Sequence, residues 1–467
     1  MEGHLSIGID VGTTTFHYVV NRIYLEKQPS KGGFPRYNLT GYDSAYQSPI
    51  FLTPYRSSGD ELDKIPIVDH IMADLAAAGF SPAEIATGSV IVTGQAAKKA
   101  NADGIIAALS ALFPQMVSTI AGSKLESLLA ARGARVDQYS RTLLQKIMNI
   151  DIGGGTTNIA LFQNGKTVGL ASLWLGGRMI RLDEHGRILN MTSAAKRVAA
   201  DEGLDLSEGA STLAELQRFA DGAARCLFDF IAGRQVPAEL IDFNELGGLV
   251  GDVDALCFTG GVAEIMRSTF AYNDDWLHFE DLGVLLAERI SARSRAFEVL
   301  QPDISRIRAT AIGVGVHHLQ IAGSTIYLSD PSVLPLTNIP VAKLSLAGVK
   351  TSEYLPKLAE ATEYSAADTQ LAYCFEAWDG ISYEHLTHLA GALLEHLQHT
   401  PQRLLIAVFD RDLGKIFGYI AASLCGKNCD TGIISIDGIT LNDNTTLDVG
   451  VPLAEGVLPV CAKTLFF

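Results

Sequence analysis

Short apolar runs alternate along the chain with turns rich in glycine and threonine and with amphipathic stretches of helical spacing. LSIGID at 5–10 ends in an acid, passes through VGTTT at 11–15 and resumes as FHYVV at 16–20, a pattern that predicts a β-hairpin. The same order recurs at 147–165 as IMNID, IGGGTTN and IALFQNG. Two strand–Asp–turn–strand units about 140 residues apart predict two related lobes, each presenting one acidic turn.

Between the hairpins, 21–90 carries Pro29, Pro35, Pro49, Pro54 and Pro66 and reads as an insertion or subdomain. Spacing then predicts a helix over 68–79, a strand over 89–94, a helix over 95–113, a strand over 117–122 and a helix over 123–134. Ser123 and Glu126 have the capping-box spacing at the start of that last helix. Beyond the second hairpin 192–245 reads as mostly helical, and ALCFTGGVAEIM at 255–266 predicts strand, Gly-Gly turn and helix, where a ligand can approach backbone closely. Pro331, Pro335 and Pro340 mark a boundary. After it come a strand at 403–410, a helix at 412–424 and alternating strands at 432–441 and 457–467. The expected division is therefore 1–148, 149–330 and 331–467.

Composition narrows the class. With 467 residues, 48% hydrophobic and 19% charged, the chain has ample core and room for about three units of ~150 residues. Its net charge of −16 repels nucleic acid and anionic membranes, so neither is an expected partner and any bound phosphate must be held locally. Two windows lack charged residues, 104–123 and 309–329. Pro114 and Gln115 divide the first, and His317, His318 and Gln320 interrupt the second, so each reads as a buried helix followed by a strand. The acidic start at Glu2 lacks the basic region of a signal peptide, and a cytoplasmic location is expected. Of the six cysteines only Cys425 and Cys429 are close in sequence. A C-x3-C without further ligands predicts reduced thiols, with an iron–sulfur site conceivable only across a subunit boundary. His17, His317 and His318 lie in apolar surroundings and read as packed or surface histidines.

The acidic turns carry the candidate chemistry. A Gly/Thr turn supplies N–H and hydroxyl donors to phosphate oxygens, and an Asp at the preceding strand end can hold a magnesium-bound water. Facing each other, two such turns form a phosphate clamp in which Asp10 and Asp151 repel unless a cation lies between them. Taken singly, each is also readable as a tight turn capped by its Asp. The glycine pair at 260–261 favours the joint reading.

IGIDVGTTT at 7–15, NIDIGGGTTNIALF at 149–162 and FTGGVAE at 258–264 resemble, in order, the first phosphate, second phosphate and adenosine motifs of the actin/Hsp70/hexokinase ATPase superfamily. That resemblance implies an α/β, two-lobed actin/Hsp70-like ATPase fold of duplicated ribonuclease-H-like domains, with ATP and Mg2+ in the cleft. Residue by residue, it implies that Asp10 and Asp151 hold the metal through water. Gly12, Thr13, Thr14 and Thr15, with Gly153, Gly154, Gly155 and Thr156, would hold phosphates. Gly260 and Gly261 would abut adenosine, with Glu264 as a further contact. Glu126 would position the attacking water, its alternative role being that of a helix-cap partner. No counterpart of the phosphate-reaching lysine of some members is found.

Within the superfamily, YQSPIFLTP at 46–54, TGQAAKKANA at 93–102, RATAIGVGVHHLQIAGSTIYL at 308–328, VLPLTNIPV at 333–341 and DVGVPLAEGVLPVCAKTLFF at 448–467 resemble the reactivating factors of ethanolamine ammonia-lyase. The resemblance implies an ATP-dependent, chaperone-like factor whose partner is ethanolamine ammonia-lyase. It would exchange damaged or inactive cobalamin for adenosylcobalamin, a cofactor that belongs to the lyase. Association with a bacterial microcompartment is expected from that system, and homo-oligomerisation stays open. The alternatives are a small-molecule kinase of the same superfamily, for which no Asp-led substrate motif lies between the turns, and an actin-like polymerising ATPase. An activator of radical dehydratases would need interface cysteines, a spacing that Cys226 and Cys257 lack.

Overall fold

The computed structural model describes residues 2–28, 36–56, 61–93, 96, 104–105, 108–109, 112–113, 116–120, 123–206, 211–247, 253–267, 275–302, 306–317, 320–322, 326–362, 369–426, 431–439, 441, 445–452 and 458–464. The central strand of the first sheet, Glu2–Val11, pairs antiparallel with Thr15–Gln28, which pairs antiparallel with Arg36–Gln47. On its other side it runs parallel to Ile85–Val92, which runs parallel to Met116–Ile120. The second sheet repeats this order around Lys146–Ile152. Thr157–Gln163 and Lys166–Leu173 pair antiparallel on one side, and Ala255–Thr259 and Val299–Leu300 run parallel on the other. Three antiparallel strands followed by two parallel ones, twice over, is the duplicated ribonuclease-H-like order, and the chain has the two-lobed actin/Hsp70-like α/β fold.

Much of 21–90 belongs to the first sheet, because Arg36–Gln47 and Ile85–Val92 are its third and fourth strands. Of the prolines that suggest irregularity, Pro29 and Pro35 lie outside the described residues, Pro49 and Pro54 lie outside the strands, and Pro66 occupies the first turn of the helix Lys64–Ala77. A missing N–H is harmless there, so the helix starts four residues before the spacing suggested, with Asp63 accepting from the Ile65 N–H. Of the helix read over 95–113, residues 104–105, 108–109 and 112 are helical and most of the rest lies outside the described residues.

Period-2 alternation sorts the central strand. Ile7, Ile9 and Val11 pack with Ile67, Ile71 and Leu75 of Lys64–Ala77, each buried side chain contributing about 1.5–3 kcal/mol. Ser6 and Gly8 turn to the opposite face, where the helix Ala309–His317 lies, and this parity carries Asp10 to the same side. In the second sheet Met148, Ile150 and Ile152 enter the lobe core, while Ile147 packs with Ala131 and Ala134, on and just beyond the helix Ser123–Gly133. Asp151 shares the face of Ile147.

These two helices cross over. Ser123–Gly133 follows the first sheet yet packs on the second, and Ala309–His317 follows the second yet packs on the first. Ser123 is itself the first helical residue, and its hydroxyl donates to Asp242 at 2.6 Å. The capping box read from its spacing with Glu126 is therefore corrected: a cap must precede the first turn, and Ser123 lies within it.

A third sheet has parallel strands Leu336–Leu344, Ala372–Phe375, Leu404–Phe409 and Gly432–Ile436 at its centre. The helices Tyr354–Thr362, Tyr383–Gln398 and Gly414–Cys425 cover one face. Ile433, Ile434, Ser435 and Ile436 are all buried, so the alternation read at 432–441 gives way to a strand covered on both faces.

Among the described residues no helix is long and apolar enough to cross a membrane, and the 309–329 window resolves into Ala309–His317, Gln320–Ala322 and Tyr327–Leu328. His318 lies outside the described residues. Cys226, Cys257 and Cys374 are buried free thiols. Cys425 is disulfide-bonded, which corrects the expectation of a thiol there. It sits at the half-exposed C-terminal end of its helix, where another cysteine can reach it, whereas the three free thiols are held in core.

Candidate functional site

A cavity of about 540 Å³ lies between the first two sheets, and the residues read from the sequence as metal, phosphate, adenosine and water-positioning candidates all line it. The two hairpin turns close with the same bond: Gly12 N–H donates to Thr15 O at 2.9 Å, and Gly153 N–H to Thr156 O at 2.9 Å. Their carbonyls are engaged from behind. Thr53 donates its hydroxyl to Gly12 O and its N–H to Thr14 O, while the Tyr55 hydroxyl donates to Thr13 O at 2.7 Å. In the second turn Gly177 and Arg178 N–H groups donate to the carbonyls of Gly153 and Gly154. Turns held by their carbonyls from one side present their N–H edges to the other.

The turns touch. A Cβ on Gly154 would lie 2.7 Å from Thr14 Oγ1, so a larger residue there would push the Thr14 side chain aside. Thr14 Oγ1 is buried without a hydrogen-bond partner among the described residues, a donor placed for a ligand oxygen.

Asp10 and Asp151 are the buried acids at the floor. Burial pushes Asp10 up to about 7, offset in part by the Thr93 hydroxyl donating to Oδ1 at 3.1 Å, with the Asp151 charge adding to the rise. Burial raises Asp151 to about 6 against a hydrogen bond from Thr259. Thr93 and Thr259 are equivalent, each standing at or just past the end of the strand beside its Asp. No group of three or more metal-ligating side chains occurs among the described residues. Two carboxylates, with waters and ligand oxygens completing the shell, fit magnesium, which keeps several waters.

Glu126 projects into the cavity from the first turn of Ser123–Gly133 and is 9% exposed. At the other end, Gly260 takes φ 88° between the strand Ala255–Thr259 and the helix Gly261–Arg267. A Cβ there would fall 2.4 Å from Ile152 O, so this glycine seats the turn against the second hairpin. Glu264 lines the cavity, but its carboxylate is committed: Oε1 takes Arg267 Nη2 at 2.7 Å and Oε2 accepts the Arg306 N–H at 2.9 Å.

Sequence reading missed Thr93, Arg178, Asp281 and the position of His17. His17 stands directly across the hairpin from Asp10, and burial together with the Arg308 charge lowers it to about 3, so it is neutral. The hairpin register would have placed it. Arg178 and Asp281 come from loops whose approach to the cleft no local pattern discloses.

Strand order, crossed helices and paired acidic turns define a protein of the actin/Hsp70-like fold class, with its two hairpin turns at one cleft. More particularly, the chain belongs to the family described as Ethanolamine utilisation protein EutA, which it matches over residues 2–467. It is 32% identical over 469 residues to the ethanolamine ammonia-lyase reactivase EutA of Salmonella typhimurium, covering 99% of this chain and 98% of that one. It is 32% identical over 474 residues to the protein of the same description from Escherichia coli, with the same coverage. Among solved structures it is similar to component A of the (R)-2-hydroxyglutaryl-CoA dehydratase of Acidaminococcus fermentans, at 12% identity and TM-score 0.34, covering 67% of this chain and 97% of that one.

Proposed function

We propose that this protein is an ATP-dependent reactivating factor for ethanolamine ammonia-lyase, promoting exchange of damaged or inactive cobalamin for adenosylcobalamin on that enzyme. One observation supports the nucleotide reading above the rest: two equivalent hairpin turns, closed by the same bond, bring Asp10 and Asp151 to one cavity. The full-length likeness to named reactivases supports the partner.

In this reading the N–H edges of 12–15 and 153–156 and the Thr14 hydroxyl bind the phosphates. Magnesium, held through water by Asp10 and Asp151, would supply the charge that lets both acids ionise together. Gly260 and Gly261 abut the adenosine, and Glu126 orients the water that attacks the terminal phosphate. The units 1–148 and 149–330 close on the nucleotide and 331–467 follows them. The two states differ in affinity for the lyase, and that difference opens its cobalamin site. In this reading the protein works in the cytoplasm, in association with a bacterial microcompartment.

The test is reactivation of cyanocobalamin-blocked ethanolamine ammonia-lyase by the purified protein with MgATP and adenosylcobalamin. Restored deamination that Asp151→Ala abolishes is the expected result. Wild type that binds MgATP without ever restoring the lyase overturns the reading.

A further inference from the structure

The lining of the cleft is acidic for a site that is to hold an anion. Asp10, Glu126, Asp151, Glu264, Glu280 and Asp281 reach it, and among the described residues Arg178 is its one lining side chain with a fixed positive charge. His17 is held neutral, and His278 is paired with Asp275 at 2.9 Å.

Arg178 is rooted at the point where the two turns meet. Its N–H donates to Gly154 O at 2.5 Å and that of Gly177 to Gly153 O at 3.0 Å. A Cβ on Gly176 would fall 2.5 Å from Gly154 O, so the 176–178 loop packs backbone to backbone on the second turn. A Cβ on Gly154 would lie 2.7 Å from Thr14 Oγ1 and 3.8 Å from the Arg178 Cβ, which sets the arginine stem beside both turns. The guanidinium is also within electrostatic reach of Tyr55, whose hydroxyl holds Thr13 O in the opposite lobe.

Among the described residues that guanidinium makes no hydrogen bond. Nε is buried without a partner, and the Asp281 Oδ2 opposite it stands 3.6 Å away, beyond hydrogen-bond range. Asp281 is engaged elsewhere, its Oδ1 accepting the Gly283 N–H at 2.7 Å. A half-buried arginine whose buried Nε is idle, at the meeting of the two hairpin turns, is placed for a planar, multiply accepting anion.

We infer that Arg178 is the phosphate-binding cation of this cleft, trading its long contact with Asp281 for hydrogen bonds to the phosphate chain of the nucleotide. The role rests on the nucleotide reading above. It fills the place for which no lysine is found, from the second lobe and from behind the second turn.

The test is calorimetric binding of MgATP, MgADP and adenosine to the full chain, comparing wild type with Arg178→Ala and Arg178→Lys, with thermal melting of each variant as a control. Arg178→Ala is expected to weaken MgATP and MgADP at least about ten-fold while leaving adenosine unchanged, with Arg178→Lys intermediate. Asp281→Asn keeps the oxygen that caps Gly283 while removing the competing charge, and it is expected to tighten MgATP. Unchanged MgATP affinity in Arg178→Ala overturns the inference alone, as does an equal loss for adenosine, which would mark a structural role. A wild type that binds neither nucleotide overturns the nucleotide reading, and this inference with it.

Discussion

A Cβ on Gly313 would lie 2.0 Å from the carbonyl oxygen of Leu129. This is the point where the helices Ser123–Gly133 and Ala309–His317 cross, and the approach is reciprocal: a Cβ on Gly133 would fall 1.9 Å from Ala309 O. On the other side of the second helix, Gly8 would meet Ala311 O at 1.9 Å. All three obstacles are backbone atoms, so no side chain can swing aside to make room. Gly313→Ala is expected to destabilise the protein by ~1–3 kcal/mol, read as a lower urea midpoint at unchanged m-value. A midpoint equal to wild type would mean the crossing can spread at no cost.

The acid pair predicts an inverted pH dependence. Folding raises Asp10 from 3.8 to about 7 and Asp151 to about 6, so the folded chain keeps protons that the unfolded chain has lost. Stability from this source is full below about pH 4 and is lost as pH rises towards about 7. Asp10→Asn retains an acceptor for the Thr93 hydroxyl without the charge. In ligand-free protein it should stabilise by ~2–4 kcal/mol at about pH 8, with the gain vanishing near pH 4. Melting temperatures of both proteins across that range decide it. Parallel curves would show that the acids do not feel burial as described.

The cleft was legible in the sequence because its key residues sit in continuous turns. A strand ending in Asp followed by Gly and Thr can be read locally, and every residue read in that way lines the cavity. What escaped depends on separation along the chain. Thr93 reaches Asp10 across 83 residues, Arg178 finds its place through backbone bonds to Gly153 and Gly154, and Asp281 arrives from more than 100 residues beyond that turn. The small residues of AIGVGV at 311–316 encode the helix crossing, but small residues state only that something approaches closely, not what. Arg36–Gln47 was hidden for another reason: its polar and aromatic residues read as irregular until a paired strand on one side gives them a register.

Glu126 separates binding from turnover. It sits on the first turn of the helix that carries it to the cleft, on the side of the second sheet that also presents Asp151. A group that only orients water adds little to ground-state affinity. Glu126→Gln should bind MgATP within about three-fold of wild type and lose hydrolysis by ~10²-fold or more, measured as phosphate release under single-turnover conditions. Hydrolysis at the wild-type rate would return Glu126 to a structural role.

Thr14 allows the same separation for the phosphate turn, with opposite signs for stability and binding. Its hydroxyl is buried without a partner among the described residues, and the Gly154 backbone closes over it. An unsatisfied buried hydroxyl is a burden on the ligand-free fold, and valine has the same shape without it. Thr14→Val should therefore leave the ligand-free melting temperature equal or higher, while MgATP affinity falls about five- to ten-fold for the lost phosphate donor. The stabilisation that MgATP adds to melting should shrink accordingly. If Thr14→Val destabilised the ligand-free protein and left MgATP affinity intact, the hydroxyl would be serving the fold, and the phosphates would have to lie elsewhere in the cleft.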